Sequence, residues 1–243
     1  MIRLATEGDF PAIPDNECLV RILGLRFAYG EKATFIRYYT DGDCGLMSLM
    51  DGVAVLSLSE LTEEWEIFLN MNPEVFAIHC SKEIGDALMR SQQWKGRVGD
   101  VMIYEGDTSL QINAPVDISP GLPMVYELLR EHFPGISAFE YWYPDVSHRI
   151  RHGCCHISAF VDAEKVVSTA MTVAETETAA ILGQVATHPE FRRRGLAGTC
   201  IKSVVYQCKG KKLYILPINE NARLLYEKLG FVTVGGWAEL QRT

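Results

Sequence analysis

One stretch constrains this chain more than any other: "AAILGQVATHPEFRRRGLAGTCIKSVVYQCKG", Ala179 to Gly210. Its first part, Ala179–Pro189, reads as an apolar strand, and Pro189 stops it because proline has no N–H to give a ladder. Beyond three consecutive arginines, apolar residues recur at Ala197, Cys200, Ile201, Val204, Val205 and Cys208. Intervals of three and four predict an amphipathic helix, and Gly210 is its expected end. A helix N-terminus leaves its first N–H groups without intrahelical partners, and the macrodipole adds to their attraction for an anion. Gly195 has no Cβ to obstruct a ligand and permits turn dihedrals closed to other residues. Ala197 and Gly198 keep the neighbouring surface small. Arg192, Arg193 and Arg194 add charge and forked donors suited to phosphate oxygens. The group suits a pyrophosphate; a solvated basic turn, with Gly195 serving only chain reversal, is the other reading. The spacing excludes a P-loop and disfavours a dinucleotide fingerprint, since neither G-x-x-x-x-G-K-[ST] nor G-x-G-x-x-G occurs.

Strands and helices alternate on the N-terminal side as well. "ATFIRYYTD" (33–41) and "GLMSLMDGVAVLSLS" (45–59) read as strands, with a hairpin turn at Asp51-Gly52. "LTEEWEIFLNM" (61–71) reads as a helix capped by Thr62, "EVFAIHC" (74–80) as a strand, "KEIGDALMRS" (82–91) as a helix and "GDVMIYE" (99–105) as a strand. Gly106–Pro123 is rich in Pro, Gly, Asp and Ser and marks a domain boundary, expected as residues 1–110 and 111–243. A helix at 124–133 follows, then an expected aromatic loop, "FEYWYPD" (139–145), and strands at 155–162 and 165–175 about a turn at Ala163-Glu164. A strand at 212–218, a helix at 221–229 and a last strand region at 231–240 complete the order.

A formal net charge of −8 argues against nucleic acid or an anionic membrane as a general partner. The N-terminus is too polar for a signal peptide, and no apolar run approaches the ~18 residues of a spanning helix. Seven cysteines without framework spacing or a C-x-x-C pair predict free thiols, no metal site and a reducing, cytoplasmic location.

Arg192 through Ala197 resembles the [Q/R]-x-x-G-x-[G/A] signature of the GCN5-related N-acetyltransferases (GNAT), and "VATHPEF" looks like that family's fourth strand and its exit. "NENARLLYEKLGF" resembles the family's N-x-x-A-x-x-x-Y-x-x-x-G-F segment through Asn219, Ala222, Tyr226, Gly230 and Phe231. The two motifs stand in the right order, and the resemblance covers about Met124 to Leu240. It implies an α/β (α+β) fold: a mixed, mostly antiparallel twisted sheet flanked by helices. It further implies an acetyl-CoA-dependent N-acetyltransferase, with a non-catalytic CoA-binding or interaction module as the alternative.

Carried onto this sequence, the resemblance places the acyl-CoA pyrophosphate on Arg193, Arg194, Gly195, Leu196, Ala197 and Gly198, with Arg192 as the signature side chain. The pantetheine arm would pair with Val185, Ala186 and Thr187, and Asn219 and Ala222 would border it. An asparagine before a helix is as readily a cap as a ligand to that arm. Tyr226 becomes the general acid for the departing thiolate; a packed aromatic is its other reading. No base is evident. Glu175 and Glu177, in the "ETET" turn, are candidates expected to be exposed, and His188 is set aside as part of the strand exit. Tyr141, Trp142 and Tyr143 are candidate walls for the acceptor, a small-molecule or peptide amine, or else a packing cluster. The oligomeric state is left as monomer or homodimer.

The two halves repeat strand, turn and helix in the same order, as "FAIHCSKEIGDAL" and "YILPINENARLLY" show. The N-terminal half is therefore expected to be a degenerate copy of the same fold that helps shape the acceptor cleft. Where the second half has "FRRRGLAG", the first has "ELTEEWE", with Glu63 and Glu64 at the helix start. The last strand region is short for the two terminal strands usual in the family, so the N-terminal half or another chain is expected to complete the sheet.

Overall fold

The computed structural model describes residues 1–31, 33–43, 45–107 and 116–243. The chain forms two units. One comprises Met1–Met102 with Leu216–Ile218 and Thr233–Thr243; the other comprises Ile103–Ile215 with Asn219–Val232. The boundary expected between residues 110 and 111, and Cys44 among the free thiols, lie outside the described residues.

In the N-terminal unit a short strand β1 (Arg3–Leu4) precedes helix α1 (Glu17–Tyr29), which the sequence reading did not include. Its signal is present: Asn16 accepts a bond from the Leu19 N–H at 2.9 Å, and Glu17 stands in the first turn. Strands β2 (Ile36–Thr40), β3 (Leu46–Met50) and β4 (Val53–Ser57) form an antiparallel meander. Asp51 and Gly52 both take positive φ at the hairpin between β3 and β4, as the strand twist favours. Helix α2 (Glu63–Met71) then crosses over to β5 (Ala77–Ser81), which lies parallel to β4. Helix α3 (Lys82–Met89) and strand β6 (Trp94–Tyr104) follow.

The second unit repeats this order. Helices α4 (Leu122–His132) and α5 (Phe139–Arg151) lead to the antiparallel strands β7 (Ile157–Asp162), β8 (Lys165–Glu175) and β9 (Ala179–Thr187). Helix α6 (Leu196–Gln207) crosses over to β10 (Lys212–Ile215), parallel to β9, and helix α7 (Glu220–Lys228) leads into β11 (Phe231–Arg242). Each unit thus has a twisted, mostly antiparallel sheet with one parallel crossover and flanking helices. The expected aromatic loop "FEYWYPD" is instead the start of α5, with Pro144 inside the helix. Apolar spacing explains the difference: Trp142 and Val146, four apart, both turn into the core of α4 and the sheet with Val125 and Leu129.

The C-terminal residues serve the N-terminal unit. Trp237–Gln241 of β11 pairs antiparallel with β5, and Ala238 and Leu240 enter a core with Trp65, Leu69, Ile78 and Leu88. Beyond them, Arg242 closes the end of α2. Its guanidinium donates to the carbonyl oxygens of Leu69, Asn70, Asn72 and Val75 at 2.8–3.1 Å and stacks on Trp94. Helix α2 has no basic residue of its own in its last turn, so Arg242 supplies both the donors and the charge that a helix C-terminus favours. Arg242→Ala is expected to cost about 2 kcal/mol, lowering Tm by roughly 4–8 °C in a calorimetric scan.

Candidate functional site

The C-terminal unit opens its sheet between β9 and β10. Their parallel pairing ends at Leu182 and Ile215. From Gly183 to Thr187, β9 has a strand partner on the β8 side only, among the described residues. The strand is also bulged there. Met171 pairs with Gly183 and Thr169 with Ala186, so Ala170 faces both Gln184 and Val185. Gln184 takes a φ of 46° to absorb the extra residue. Among the described residues its Oε1 is buried without a hydrogen-bond partner, as is Nδ1 of His188 at the other end of Val185–Thr187. Sequence reading missed this bulge; Gly183, a glycine inside a strand, is its one local signal.

The loop after β9 is shaped for an anion. A short 3₁₀ turn (Pro189–Phe191) carries the chain off the strand. Arg193 has φ 63° and Gly195, the residue capping α6, has φ 78° and ψ 0°. No atom lies within 4 Å of where a Cβ of Gly195 would be, so its backbone conformation, and not crowding within the fold, calls for glycine. Glycine also brings no capping side chain. The first intrahelical bond runs from the Thr199 N–H to the Gly195 oxygen. The N–H groups of Leu196, Ala197 and Gly198 precede it and belong to the orphan donors of the helix start. The arginine side chains are partly engaged. Arg192 Nε donates to the Thr187 oxygen at 3.1 Å, and Arg194 donates to the Glu190 oxygen at 2.9 Å while stacking on Phe191. Both stay exposed, so their charge bears on the loop while their positions are fixed.

Helix α7 packs beside this loop. A Cβ on Gly198 would lie 3.5 Å from the Leu229 side chain, which sets the end of α7 against the first turn of α6. One turn back, Tyr226 is buried and packs near Phe231. Burial pushes its hydroxyl up to about 12, so the phenol keeps its proton at neutral pH. Asn219 is the cap of α7: its Oδ1 accepts from the Ala222 N–H at 3.0 Å. That oxygen and the Ala222 N–H are therefore committed to each other.

Two expectations need correction. Glu175 is not an exposed turn residue. Its side chain is fully buried, accepting from Lys211 Nζ at 2.6 Å and Thr172 Oγ1 at 3.0 Å and pairing with His156 Nδ1 at 3.0 Å. Burial raises its pKa, but hydrogen bonds and charge from His156 and Lys211 outweigh that and leave it lowered. A carboxylate so engaged is a staple joining β8 to the segments before β7 and β10, and a poor base. Trp142 is likewise buried, next to Tyr126, as the packing-cluster reading has it. Tyr141 and Tyr143 remain exposed on α5, as does Glu177 in its turn.

Residues 122–231 match the family model for the acetyltransferase (GNAT) family. Residues 122–231 form a GNAT domain. The whole chain also resembles solved GNAT structures in fold. A GNAT-family protein from Novosphingobium aromaticivorans aligns at 18% identity over 94% of this chain and 100% of its own, with TM-score 0.58. A GCN5-related N-acetyltransferase from Sphaerobacter thermophilus aligns at 14% identity over 100% and 95%, with TM-score 0.61. A tandem GNAT protein of the clavulanic acid biosynthesis pathway aligns at 12% identity over 96% and 90%, with TM-score 0.59. No curated protein matches the chain by sequence. Among the described residues, no helix is long and apolar enough to cross a membrane.

The Glu175 staple of the GNAT domain makes a pH prediction. A carboxyl whose folded pKa is lowered contributes stability that is full above its unfolded pKa and is lost as pH falls through the folded one. Glu175→Gln should therefore lower Tm at pH 7. The gap to the unaltered protein should narrow as the pH is taken from about 5 toward 3 in calorimetric scans.

Proposed function

We propose that the GNAT domain transfers an acetyl group from acetyl-CoA to an amine of a small-molecule or peptide acceptor, by direct attack of the amine on the thioester. The observation that carries this reading is the pairing, on one short segment, of a helix start without a side-chain cap with a bulged strand whose second edge has no strand partner among the described residues. The N–H groups of residues 193–198 would receive the pyrophosphate, with the three arginines supplying charge. Val185, Ala186 and Thr187 offer backbone donors and acceptors to an amide-bearing arm in the manner of an added strand. The N–H of Val185 would hold the thioester oxygen, where charge develops during attack. Supply of the thioester carbonyl is the co-substrate's part; order of approach and proton delivery fall to the protein.

Tyr226 fits the general acid. Its hydroxyl is protonated across the neutral range, and α7 fixes it one turn from the contact with the anion loop. With Glu175 locked in its buried network, the amine proton leaves through Glu177 or water. Tyr141 and Tyr143 on α5 are the candidate acceptor contacts that remain exposed.

Two substitutions test the reading. Gly195→Glu forces a side chain onto a left-handed backbone and puts a negative charge at the helix start, so calorimetry should detect no acetyl-CoA binding. Retained affinity would remove the loop from the site. Tyr226→Phe keeps the packing and removes the proton. Thiol release over an amine panel should fall by about 10²–10⁴ in kcat, with acetyl-CoA affinity unchanged. Unchanged turnover would dismiss Tyr226 as acid, and binding without thiol release in the unaltered protein would favour the non-catalytic module.

A further inference from the structure

The N-terminal unit has a cavity of its own. It measures about 630 Å³, within the range of small-molecule sites. It lies on the face of the sheet that α1 covers only in part, where Leu19 and Ile22 of α1 pack on Leu46 and Val55. Val53, Val55 and Ala77 give it an apolar wall. Arg21, His79, Lys95, Arg97 and Glu239 supply its polar groups. Between Lys95 and Arg97, a Cβ on Gly96 would fall 2.0 Å from the Glu239 carbonyl oxygen, so glycine is what lets β6 close against β11 there.

Pairing the charges leaves a residue of one sign. Glu17, buried behind the wall, is bonded to His79 Nε2 at 2.7 Å and to Arg21 Nε at 3.0 Å. Burial raises its pKa, yet His79 and Arg21 bring it to about 2, so it is ionised and its charge is matched. Glu239 accepts from Arg97 Nε and Nη2 at 3.0 and 2.6 Å. Both acids near the cavity are thereby spoken for. Two groups have donors left over among the described residues. Lys95 has no ion pair, and the terminal nitrogens of Arg21 make no hydrogen bond. Surplus donors beside an aliphatic wall suit a molecule with one anionic end and a short apolar body.

We propose that the N-terminal unit binds a small organic carboxylate in this cavity, its anionic end held by Arg21 and Lys95 and its aliphatic part lying on Val53, Val55 and Ala77. The site is independent of the acetyl-CoA loop. It has its own fold unit, and its anion is held by side-chain cations instead of by a helix start.

Hexanoate titrated into the full chain tests it, with inorganic phosphate titrated in parallel and binding read by calorimetry or by backbone amide shifts. The expected result is saturable binding with Kd on the order of 0.1–1 mM for hexanoate and much weaker binding of phosphate. Lys95→Gln, an exposed and structurally silent change, should weaken hexanoate about tenfold. Val55→Trp should abolish binding by filling the wall, and Gly195→Glu should leave it unchanged. Three results would overturn the proposal: no saturation by on the order of 20 mM hexanoate, equal affinity for phosphate and hexanoate, or loss of binding in Gly195→Glu with none in Lys95→Gln.

Discussion

The first turn of α6 starts behind a residue that cannot cap it. Gly195 sits in the left-handed region and offers no side-chain oxygen, so among the described residues no side chain caps the backbone donors that follow. Other features of the GNAT domain are arranged around those donors. Pro189 ends β9 early enough for a loop to form, and Arg192 and Arg194 are tied to backbone oxygens that hold the loop's shape. Leu229 brings α7, and with it Tyr226, against the same turn. The left-handed backbone at Gly195 disfavours a capping serine or aspartate, so these donors face away from any side-chain cap, as an anion site requires.

The parallel crossover is the second constraint, because it dictates where the sheet can open. Antiparallel neighbours β8 and β9 stay bonded through the bulge, whereas β10 follows β9 for only four residues. The bulge at Gln184 and Val185 turns the strand locally while the remaining ladder holds it. Two buried polar atoms, on Gln184 and His188, are left unmatched on either side of the proposed thioester position. In a well-packed interior such atoms cost free energy unless something pairs with them. Both lie on the part of β9 that keeps only its β8 partner, where the proposed arm would supply the missing donors and acceptors.

Legibility in the sequence followed the range of the interaction. The loop, the helix behind it and the Asn219–Phe231 segment are local patterns: a proline, a glycine, apolar intervals and a cap. Each could be read from a dozen residues. The strands around Asp51-Gly52 and Ala163-Glu164 were legible for the same reason, since a two-residue turn fixes its flanks. Glu175 was not legible, because its partners His156 and Lys211 lie 19 and 36 residues away and nothing in "ETET" announces them. Nor was α5: consecutive aromatics and Pro144 look like a loop until Trp142 and Val146 are seen to share a buried face. Helix α1 carries local signals of the same kind, the Asn16 cap and Glu17 in its first turn. The destination of the last strand, with Arg242 closing α2 some 170 residues earlier, depends on tertiary pairing alone.

The two units share an order of elements but place their polar chemistry differently, and the difference begins at one position. Where α6 has glycine, α2 has Thr62, whose Oγ1 accepts from the Trp65 N–H at 3.3 Å. Glu63, Glu64 and Glu66 then occupy the first turn of α2, which satisfies the dipole from within the chain. A helix start so treated has nothing to offer an anion and repels one. The N-terminal unit instead gathers its unmatched donors on a sheet face, using Arg21 of α1 and Lys95 of β6, elements far apart in the sequence. Glycine appears in both places for different reasons: Gly195 for a dihedral, Gly96 for a close approach of two strands. A capped, acidic helix start in one unit therefore leaves that unit's other surfaces open to ligand chemistry. The same topology has a second surface on which cations can be held, and its charges are set by residues that the helix start does not constrain.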